Sequence, residues 1–351
     1  GLVRALLEMV HARSAAEGDL VNAITGIPYF YRQFGYEYVF DLGGRQTLYL
    51  DALPEPKLEG CPYSLRAATY DDIPTLMRLY SQRRGESLVW HEATEAYWRY
   101  QIGNWEDAVA QGRNLAETGF FSRTQMIVEG TAQEGNAEGV QRVCGYISHA
   151  FMRWGKTMRV FGLELDASVN WQAAIPWLVQ IVREVGLQVK DARPEPEALR
   201  ELAFHLGRSH PAYAFFDPAW VAQGEPPYAW YLRVADLPAF LHHIAPLFEK
   251  RLARSLMTGY SGELRINFFR HELQITFEGG KLQQVVTLAA DPFREDAHVE
   301  CPPLLFLQLL FGYRSEAELR ATFPDVTVQR SSRLLVDTLF PKQFSRVSPL
   351  L

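Results

Sequence analysis

Two short segments near the start of the sequence contain residues of the types and spacing that chemistry requires. Gly1, Leu2 and Val3 begin a predicted helix whose apolar residues recur at helical spacing. Free N–H groups and the positive end of such a helix can hold a phosphate group, but one glycine at a helix start is by itself negligible evidence for such a site. The second segment is Tyr31-Arg-Gln-Phe-Gly-Tyr36, in which Tyr31 lies among other aromatic residues. Taken alone, this pattern favours a packing role for Tyr31 over a catalytic one.

The histidines and cysteines of the sequence are better interpreted as structural residues than as metal ligands. His149 and His205 lie in apolar strands and are interpreted as core residues with satisfied hydrogen bonds, and His242-His243 has no metal-binding partner at i+4. Cysteines are few and widely separated (Cys61, Cys144 and Cys301), so neither a zinc site nor a disulfide framework is predicted. We therefore expect no metal site and a reducing, cytoplasmic location.

A group of aromatic residues is the other candidate for ligand binding. Aromatic faces attract cations, so the group could line a cleft for an amine substrate. A plain hydrophobic core is the preferred interpretation for these residues, which are Trp90, Tyr97, Trp98, Tyr100 and Trp105.

Length and charge limit the classes of function. A chain of 351 residues suits two or three domains. Its net charge of −6 argues against nucleic acid as a partner and mildly favours a cationic substrate. No apolar run approaches the roughly 20 residues that span a bilayer, so no membrane span is predicted.

Predicted elements divide the chain into three modules. The first is a helix that ends at Gly18, a strand, a short helix carrying Tyr31, and two strands joined by Gly43-Gly44. A proline-rich linker follows at 53–62. Residues 63–235 alternate strands and helices as an α/β module, and residues 236–351 group helices around an antiparallel sheet as an α+β module.

The helix–strand–helix order followed by Tyr-x-x-Phe-Gly-Tyr resembles the back half of the GCN5-related N-acetyltransferase (GNAT) fold, closest to the enhanced intracellular survival (Eis) type. Phe306–Arg314 and Leu339–Lys342 resemble the sterol-carrier-protein-like (SCP2-like) domain of that type. The resemblance implies four parts: the C-terminal half of a catalytic GNAT domain (1–52), a linker (53–62), a second, degenerate GNAT domain (63–235) and the carrier-like domain (236–351). It also implies an N-terminal truncation, so this piece alone is expected to be inactive.

The resemblance implies an acyltransferase that moves acetyl from acetyl-coenzyme A to a primary amine of a polyamine, an aminoglycoside-like molecule or a peptide lysine. Gly1 would be the first glycine of the loop that cradles the pyrophosphate, with Leu2 after it and Val3 at the loop's last position. Tyr31 would protonate the departing thiolate, which suits a phenol of pKa about 10 beside a thiol of pKa about 8.5. With the motif match, this catalytic interpretation of Tyr31 is preferred.

Further expectations come from the same resemblance. The carboxylate of Leu351, if that is the native C-terminus, would orient the substrate amine and act as its base. The degenerate copy should not bind coenzyme A, because Leu165–Trp171 offers no glycine or basic residue and Asp166 would repel a pyrophosphate. A homo-oligomer is implied as well.

Two alternatives remain open. The protein could be a non-catalytic lipid- or partner-binding scaffold, in which Leu304–Phe311 lines an apolar tunnel of the carrier-like domain. It could also be an inactive transferase that serves only as a scaffold.

Overall fold

The structure is a computed structural model that describes residues 1–112, 122–130, 142–289, 297–345 and 347, and all of their side chains except those at 105–109 and 223. The α-helices are α1 (Leu2–Glu17), α2 (Ile73–Ser81), α3 (Glu95–Ala110), α4 (Trp171–Gln188), α5 (Leu237–His243), α6 (Ala245–Ala253), α7 (Pro303–Leu310), α8 (Glu316–Thr322) and α9 (Arg333–Leu339). Short 3₁₀ helices include Phe30–Phe34 and Pro211–Phe215.

The strands are β1 (Val21–Ile24), β2 (Glu37–Leu42), β3 (Arg45–Tyr49), β4 (Tyr63–Ala67), β5 (Ser122–Glu129), β6 (Arg142–Ala150), β7 (Thr157–Leu165), β8 (Glu201–Phe204), β9 (Val221–Glu225), β10 (Tyr228–Val234), β11 (Gly262–Asn267), β12 (His271–Glu278), β13 (Lys281–Ala289), β14 (Val299–Glu300) and β15 (Thr327–Val328). Helices and strands in this order make the mixed α/β and α+β class that the sequence predicts.

The chain divides into two compact units. The first contains Gly1–Phe40, Glu86–Val89 and Ala229–Ser345, and the second contains Asp41–Gly85 and Trp90–Tyr228. The described sheets of the first unit have the strand orders β1-β10-β2 and β13-β12-β11-β14-β15. The described sheet of the second unit has the order β4-β5-β6-β7-β8-β3-β9.

Two strands lie outside the unit that their position in the sequence suggests. β10 pairs antiparallel with β1, so Val21 lies opposite Val234 in the first unit. β3 lies between β8 and β9 in the second unit and pairs antiparallel with both. The two units therefore cross the predicted limits at residues 52 and 235, and the division into three domains stays a prediction.

The turn before β3 requires glycine. Gly43 and Gly44 both have positive φ, at 70° and 95°. A Cβ on Gly44 would lie 3.2 Å from the Gly207 carbonyl carbon and 3.2 Å from the Pro227 ring. Since L-residues other than glycine rarely adopt this conformation, the Gly43-Gly44 pair sets the path by which the chain enters the second sheet.

In the second unit, α4 packs on one face of the sheet. Buried residues of this core include Ile127, Ile147, Val160, Leu178 and Val182. A separate core under α2 and α3 contains Leu76, Leu79 and Trp98. The sheet is therefore covered on both sides, as in α/β domains.

The C-terminal part of the first unit has a core of its own. Phe306 of α7 contacts Phe268 and Phe340, with ring centroids 5.3 and 5.6 Å apart. Most of α7 is buried, whereas Leu304 and Leu307 line an open cavity of about 590 Å³. The apolar run at 304–311 thus mainly fills this core, and the lipid tunnel of the alternative hypothesis gains no support.

Within the described residues, every helix is too short or too polar to cross a membrane. The structure does not test the predictions of a cytoplasmic location and a homo-oligomer.

Candidate active site around Tyr31

Tyr31 is held by a short 3₁₀ helix, Phe30–Phe34, between two residues of left-handed backbone conformation. Tyr29 precedes the helix at φ 64° and Gly35 ends it at φ 85°. A positive φ is costly for tyrosine and persists only where the surroundings fix it. Here the Tyr29 N–H donates a hydrogen bond of 3.0 Å to the Tyr38 hydroxyl, which anchors the start of the helix.

Aromatic rings surround the half-buried ring of Tyr31. Its edge-to-face neighbours are Phe30, Tyr231 and Tyr36, with ring centroids at 5.2, 5.4 and 6.3 Å. Gly26 lies beside the phenol, since a Cβ built on Gly26 would be 3.5 Å from the Tyr31 hydroxyl oxygen. The ring is therefore fixed on several sides, while its side chain is neither fully buried nor fully exposed.

The other tyrosine hydroxyls of this cluster have hydrogen-bond partners. Those of Tyr38 and Tyr231 lie 2.5 Å apart, and Tyr231 also donates to the Ile27 carbonyl at 3.2 Å. The Tyr36 hydroxyl lies 2.8 Å from Nε2 of His11. By contrast, the Tyr31 hydroxyl forms no hydrogen bond to any described residue, so it is available to a ligand atom.

Burial and the positive charge of Arg233 shift the pKa values of two residues of this cluster, Tyr36 and His11. Burial raises the pKa of Tyr36, an effect that Arg233 partly offsets. Burial also lowers the pKa of His11, and the positive charge of Arg233 adds to this shift. His11 and Tyr36 are therefore both neutral at neutral pH, and their contact is a hydrogen bond between uncharged groups. Arg233 itself donates to Asn22 at 3.1 Å.

The structure places the predicted phosphate-binding residues near the Tyr31 helix. Gly1 is the N-cap of α1 without a side-chain hydrogen bond, and Leu2 and Val3 are exposed in the first turn. Arg4 of the same turn donates to Gln33 at 3.4 Å and lies over the Phe34 ring at 5.1 Å. The first turn of α1 thus contacts the 3₁₀ helix that carries Tyr31.

Other predicted residues have different outcomes. Leu351 lies outside the described residues, as does the side chain of Trp105, so both hypotheses stay predictions. Trp98 is buried and contacts Tyr146 with ring centroids at 5.5 Å, and Trp90 contacts Tyr80 at 4.8 Å, which favours the core interpretation for these two residues. Tyr100 is exposed, so the core interpretation is wrong for it.

One of the two histidine interpretations is wrong. His149 is a core residue whose two ring nitrogens both have partners. His205 is only partly buried, and its Nε2 has no hydrogen bond among the described residues. Burial, with Arg45 and Arg159 nearby, lowers the pKa of His205 to about 4. Burial, reinforced by positive charges on neighbouring strands that the sequence pattern does not reveal, keeps this imidazole neutral.

Sequence reasoning missed Tyr231 and His11. Tyr231 is fully buried in β10 and contacts both Tyr31 and Tyr38. Its alternating strand pattern predicts a strand but not the partner strands, because pairing across about 200 residues leaves no local signal. His11 lies on α1, where its spacing gives no indication of a contact with Tyr36.

The second unit begins its long helix differently. Asp166, just before α4, accepts hydrogen bonds from the Ser168 N–H at 3.1 Å and from the Ser168 hydroxyl at 2.6 Å. It also pairs with Arg78 at 2.8 Å. The Ser168 hydrogen bonds and the Arg78 pair lower the pKa of Asp166 to about 2. Asn170 is the N-cap of α4, and its side chain accepts from the Ala173 N–H at 3.3 Å. Side chains of the protein therefore already use donors in the loop before α4 and in its first turn.

Solved structures share this architecture. A GCN5-related N-acetyltransferase from Anabaena variabilis matches with a TM-score of 0.59 and 13% identity over 98% of this chain and 75% of that chain. A GCN5-related N-acetyltransferase from Kribbella flavida matches with a TM-score of 0.58 and 17% identity, over 99% of this chain and 76% of that chain. Eis1 from Mycobacterium abscessus matches with a TM-score of 0.51 and 13% identity, over 100% of this chain and 77% of that chain.

At these identities the likeness shows the fold alone: the chain has the mixed α/β GNAT fold. No protein-family profile matches the chain, and no curated protein sequence matches it.

Proposed function

We propose that the protein transfers an acetyl group from acetyl-coenzyme A to a primary amine, with Tyr31 as the acid. The observation that carries this proposal is the hydroxyl of Tyr31, which bonds to no described residue, whereas the buried or half-buried tyrosines around it, Tyr36, Tyr38 and Tyr231, have bonded hydroxyls. Polar groups that are partly buried usually find partners, so one left open at the centre of an ordered cluster suits a role towards a ligand. The GNAT fold and the Tyr-x-x-Phe-Gly-Tyr motif support the same reaction.

The proposed reaction is a direct transfer. The amine nitrogen attacks the thioester carbonyl carbon, the C–S bond breaks, and the departing sulfur takes the proton of the Tyr31 hydroxyl. The attacking nitrogen loses a proton to a base, for which the carboxylate of Leu351 is the candidate, and the Tyr31 phenolate regains a proton from water. A proton donor in hydrogen-bond reach of the leaving group contributes about 10²–10⁴ to the rate.

The first turn of α1 is the proposed site for the coenzyme pyrophosphate. It contains no acidic residue, and Arg4 adds a positive charge. Unpaired N–H groups at a helix start favour phosphate, so Gly1, Leu2 and Val3 fit this role.

The test is thiol release from acetyl-coenzyme A, with polyamines and aminoglycosides as acceptors, using protein expressed from the complete reading frame. Tyr31→Phe removes only the hydroxyl, and kcat is expected to fall about 100-fold or more with little change in KM. Tyr29→Phe is the matched control, because that ring is exposed two residues away in the same segment. Equal turnover by Tyr31→Phe and Tyr29→Phe would remove Tyr31 from the mechanism.

A further inference from the structure

A group of cationic and polar side chains lies on the face of the second unit's sheet that is turned away from α4. Arg159 of β7 lies opposite Ala203 of β8, and Thr47 of β3 lies opposite the same alanine on its other side. Side chains two residues apart in a strand share a face, so His205 and Arg45 also belong to this face. Three neighbouring strands therefore bring two arginines and a histidine together.

The two faces of this part of the sheet are covered differently. On the α4 face, Val160 and Leu202, which alternate with the residues above, are buried in the core under that helix. On the opposite face, the core under α2 and α3 takes its described strand residues from β5 and β6. Arg159, His205 and Arg45 lie beyond that core, and each is only partly buried. A ligand in solvent can therefore reach them.

One positive charge of this group has no counterion among the described residues. Nε of Arg45 lies 2.7 Å from a carboxylate oxygen of Glu225, although the geometry of this ion pair gives Nε no hydrogen bond. Lys156 pairs with Glu201 at 2.8 Å. Arg159 forms no ion pair or hydrogen bond with any described residue. Since charges that leave water are normally paired, a half-buried guanidinium of this kind favours an anionic ligand.

The cations of this face repel one another. Burial lowers the pKa of Arg159, and the positive charge of Arg45 adds to this shift. Both arginines also add to the effect of burial on His205, whose pKa is lowered to about 4. His205 is therefore neutral at neutral pH and contributes a polar ring, not a third charge. An anion bound beside these groups would offset the repulsion between them.

An aromatic surface lies next to the charges. The rings of Phe161 and His205 have centroids 5.8 Å apart and are tilted by 44°. Phe161 is only partly buried, so a ligand can contact it. Two strand spacings, about 10 Å, separate β7 from β3, a span that two arginine side chains can close on one carboxylate. Guanidinium groups bind carboxylates through parallel N–H donors, so this arrangement suits a carboxylate joined to a ring.

We propose that this sheet face binds an aromatic monocarboxylate. The carboxylate accepts hydrogen bonds from the guanidinium groups of Arg159 and Arg45, and the aromatic ring contacts Phe161 and His205. A single carboxylate matches the single positive charge that has no counterion. The site is independent of the proposed acetyl transfer, because all of its residues belong to the second unit and none to the Tyr31 cluster.

Isothermal titration of the protein with benzoate, and with uncharged benzamide, tests the proposal. Benzoate is expected to bind more tightly than benzamide by about tenfold or more, the effect of one charge-assisted hydrogen bond. Inorganic phosphate, which carries charge without a ring, should bind more weakly than benzoate. The proposal is overturned by equal affinity for benzoate and benzamide, by phosphate that binds as tightly as benzoate, or by no binding of benzoate up to its solubility.

Substitutions at the site should change the affinity for benzoate in opposite directions. Arg159→Gln should weaken binding by about tenfold or more. Glu225→Gln removes the carboxylate that competes for Arg45, so it should tighten binding by up to about fivefold. Arg254→Gln, which removes an exposed guanidinium from the first unit, is the matched control and should leave the affinity unchanged. Unchanged affinity in a folded Arg159→Gln, or weaker binding by Glu225→Gln, would contradict the proposal.

A melting curve of each variant distinguishes loss of the site from loss of the fold. If Arg159→Gln does not fold, the ring C–H signal of His205 in NMR spectra of the wild-type protein gives the answer, with His205→Asn to assign it. This signal should shift when benzoate is added and shift much less with benzamide, because only benzoate brings a negative charge next to the imidazole. No shift, or equal shifts with both ligands, would place the binding elsewhere and overturn the proposal.

Discussion

Two tyrosines occupy the same place in the element order of the two units, and they use their hydroxyls differently. In the first unit, α1 and β1 precede the 3₁₀ helix that carries Tyr31. In the second, α4 and β8 precede the 3₁₀ helix that carries Tyr213. The Tyr213 hydroxyl donates to the Phe204 carbonyl at 2.6 Å and accepts from the Leu206 N–H at 3.0 Å. The Tyr31 hydroxyl bonds to no described residue.

The starts of the two long helices differ in the same sense. Before α4, Asp166 takes the Ser168 N–H and the charge of Arg78, so an internal anion fills the turn. Neither first turn contains an acidic residue, but the Asn170 side chain caps α4 by accepting from the Ala173 N–H, whereas α1 has Gly1 at its N-cap and no side-chain hydrogen bond there. One unit thus uses its polar groups to stabilise the fold, and the other leaves the corresponding groups available to a ligand. The comparison favours the first unit as the reactive one.

The largest contrast is expected between the two Tyr→Phe variants. Tyr213→Phe removes both hydrogen bonds of this hydroxyl and takes from the Leu206 N–H the acceptor recorded for it, which should lower the free energy of unfolding by about 1–3 kcal/mol. Acetyl transfer by the folded protein should not change. Tyr31→Phe should show the opposite result, which is the large loss of kcat proposed above with an unchanged melting temperature. The reason is that the Tyr31 hydroxyl forms no hydrogen bond to any described residue.

Urea unfolding and thiol release, measured on both variants, check this contrast. If Tyr31→Phe destabilises the protein as much as Tyr213→Phe does, the Tyr31 hydroxyl has a structural role and the distinction between the two units fails.

Local features of the first unit could be predicted from the sequence, and long-range pairing could not. α1 ends where Gly18 predicts, with φ 84°, and β1 and β2 lie where the apolar and aromatic residues at 19–25 and 36–40 predict strands. β1 is only partly buried, whereas the sequence predicts a buried strand. The insertion of β3 between β8 and β9 follows from contacts between residues about 150 apart in the chain, which no local pattern encodes.

The candidate site shows the same limit. The motif predicts Tyr31 and the aromatic residues next to it, because these are neighbours in sequence. Tyr231, which packs on Tyr31, reaches the cluster only through the pairing of β10 with β1. The free state of one hydroxyl among bonded ones depends on hydrogen-bond geometry, so only a structure can reveal it.

A smaller effect is expected if the start of α1 is made to resemble that of α4. Leu2→Glu places a carboxylate in the exposed first turn of α1. If this turn holds the pyrophosphate, the added charge should raise the KM for acetyl-coenzyme A by up to about fivefold, since charges at a helix start contribute about 0.3–1 kcal/mol. Initial rates at varied coenzyme concentration measure this, with uncharged Leu2→Gln as the control.

The value of kcat should stay within twofold of wild type, roughly the noise of such a comparison. An unchanged KM in Leu2→Glu, measured at low salt where screening is weak, would place the pyrophosphate elsewhere and remove the functional contrast between the two helix starts.

The smallest effect concerns the filled turn before α4. Asp166→Asn keeps an oxygen that can accept from Ser168 but loses the charge that pairs with Arg78. Because this ion pair is largely solvated, the loss of stability at pH 7 should be no more than about 1 kcal/mol. Urea is the suitable denaturant, since it does not screen charge. Asp71→Asn is the control, because Asp71 is an exposed aspartate outside the contacts of Asp166.

The effect of pH on the free energy of unfolding is a second test of the role of Asp166. The pKa of Asp166 is lowered from its ordinary 3.8 to about 2 in the folded protein. A carboxyl group whose folded pKa is lowered stabilises the fold fully above its unfolded pKa, and this contribution disappears as the pH falls through the folded value. The stability difference between wild type and Asp166→Asn should therefore be constant from pH 7 to about 5 and shrink below about 4 towards zero near 2. A difference that grows on acidification would mean that Asp166 is not the internal anion of this turn, and the two helix starts would no longer differ in the way described.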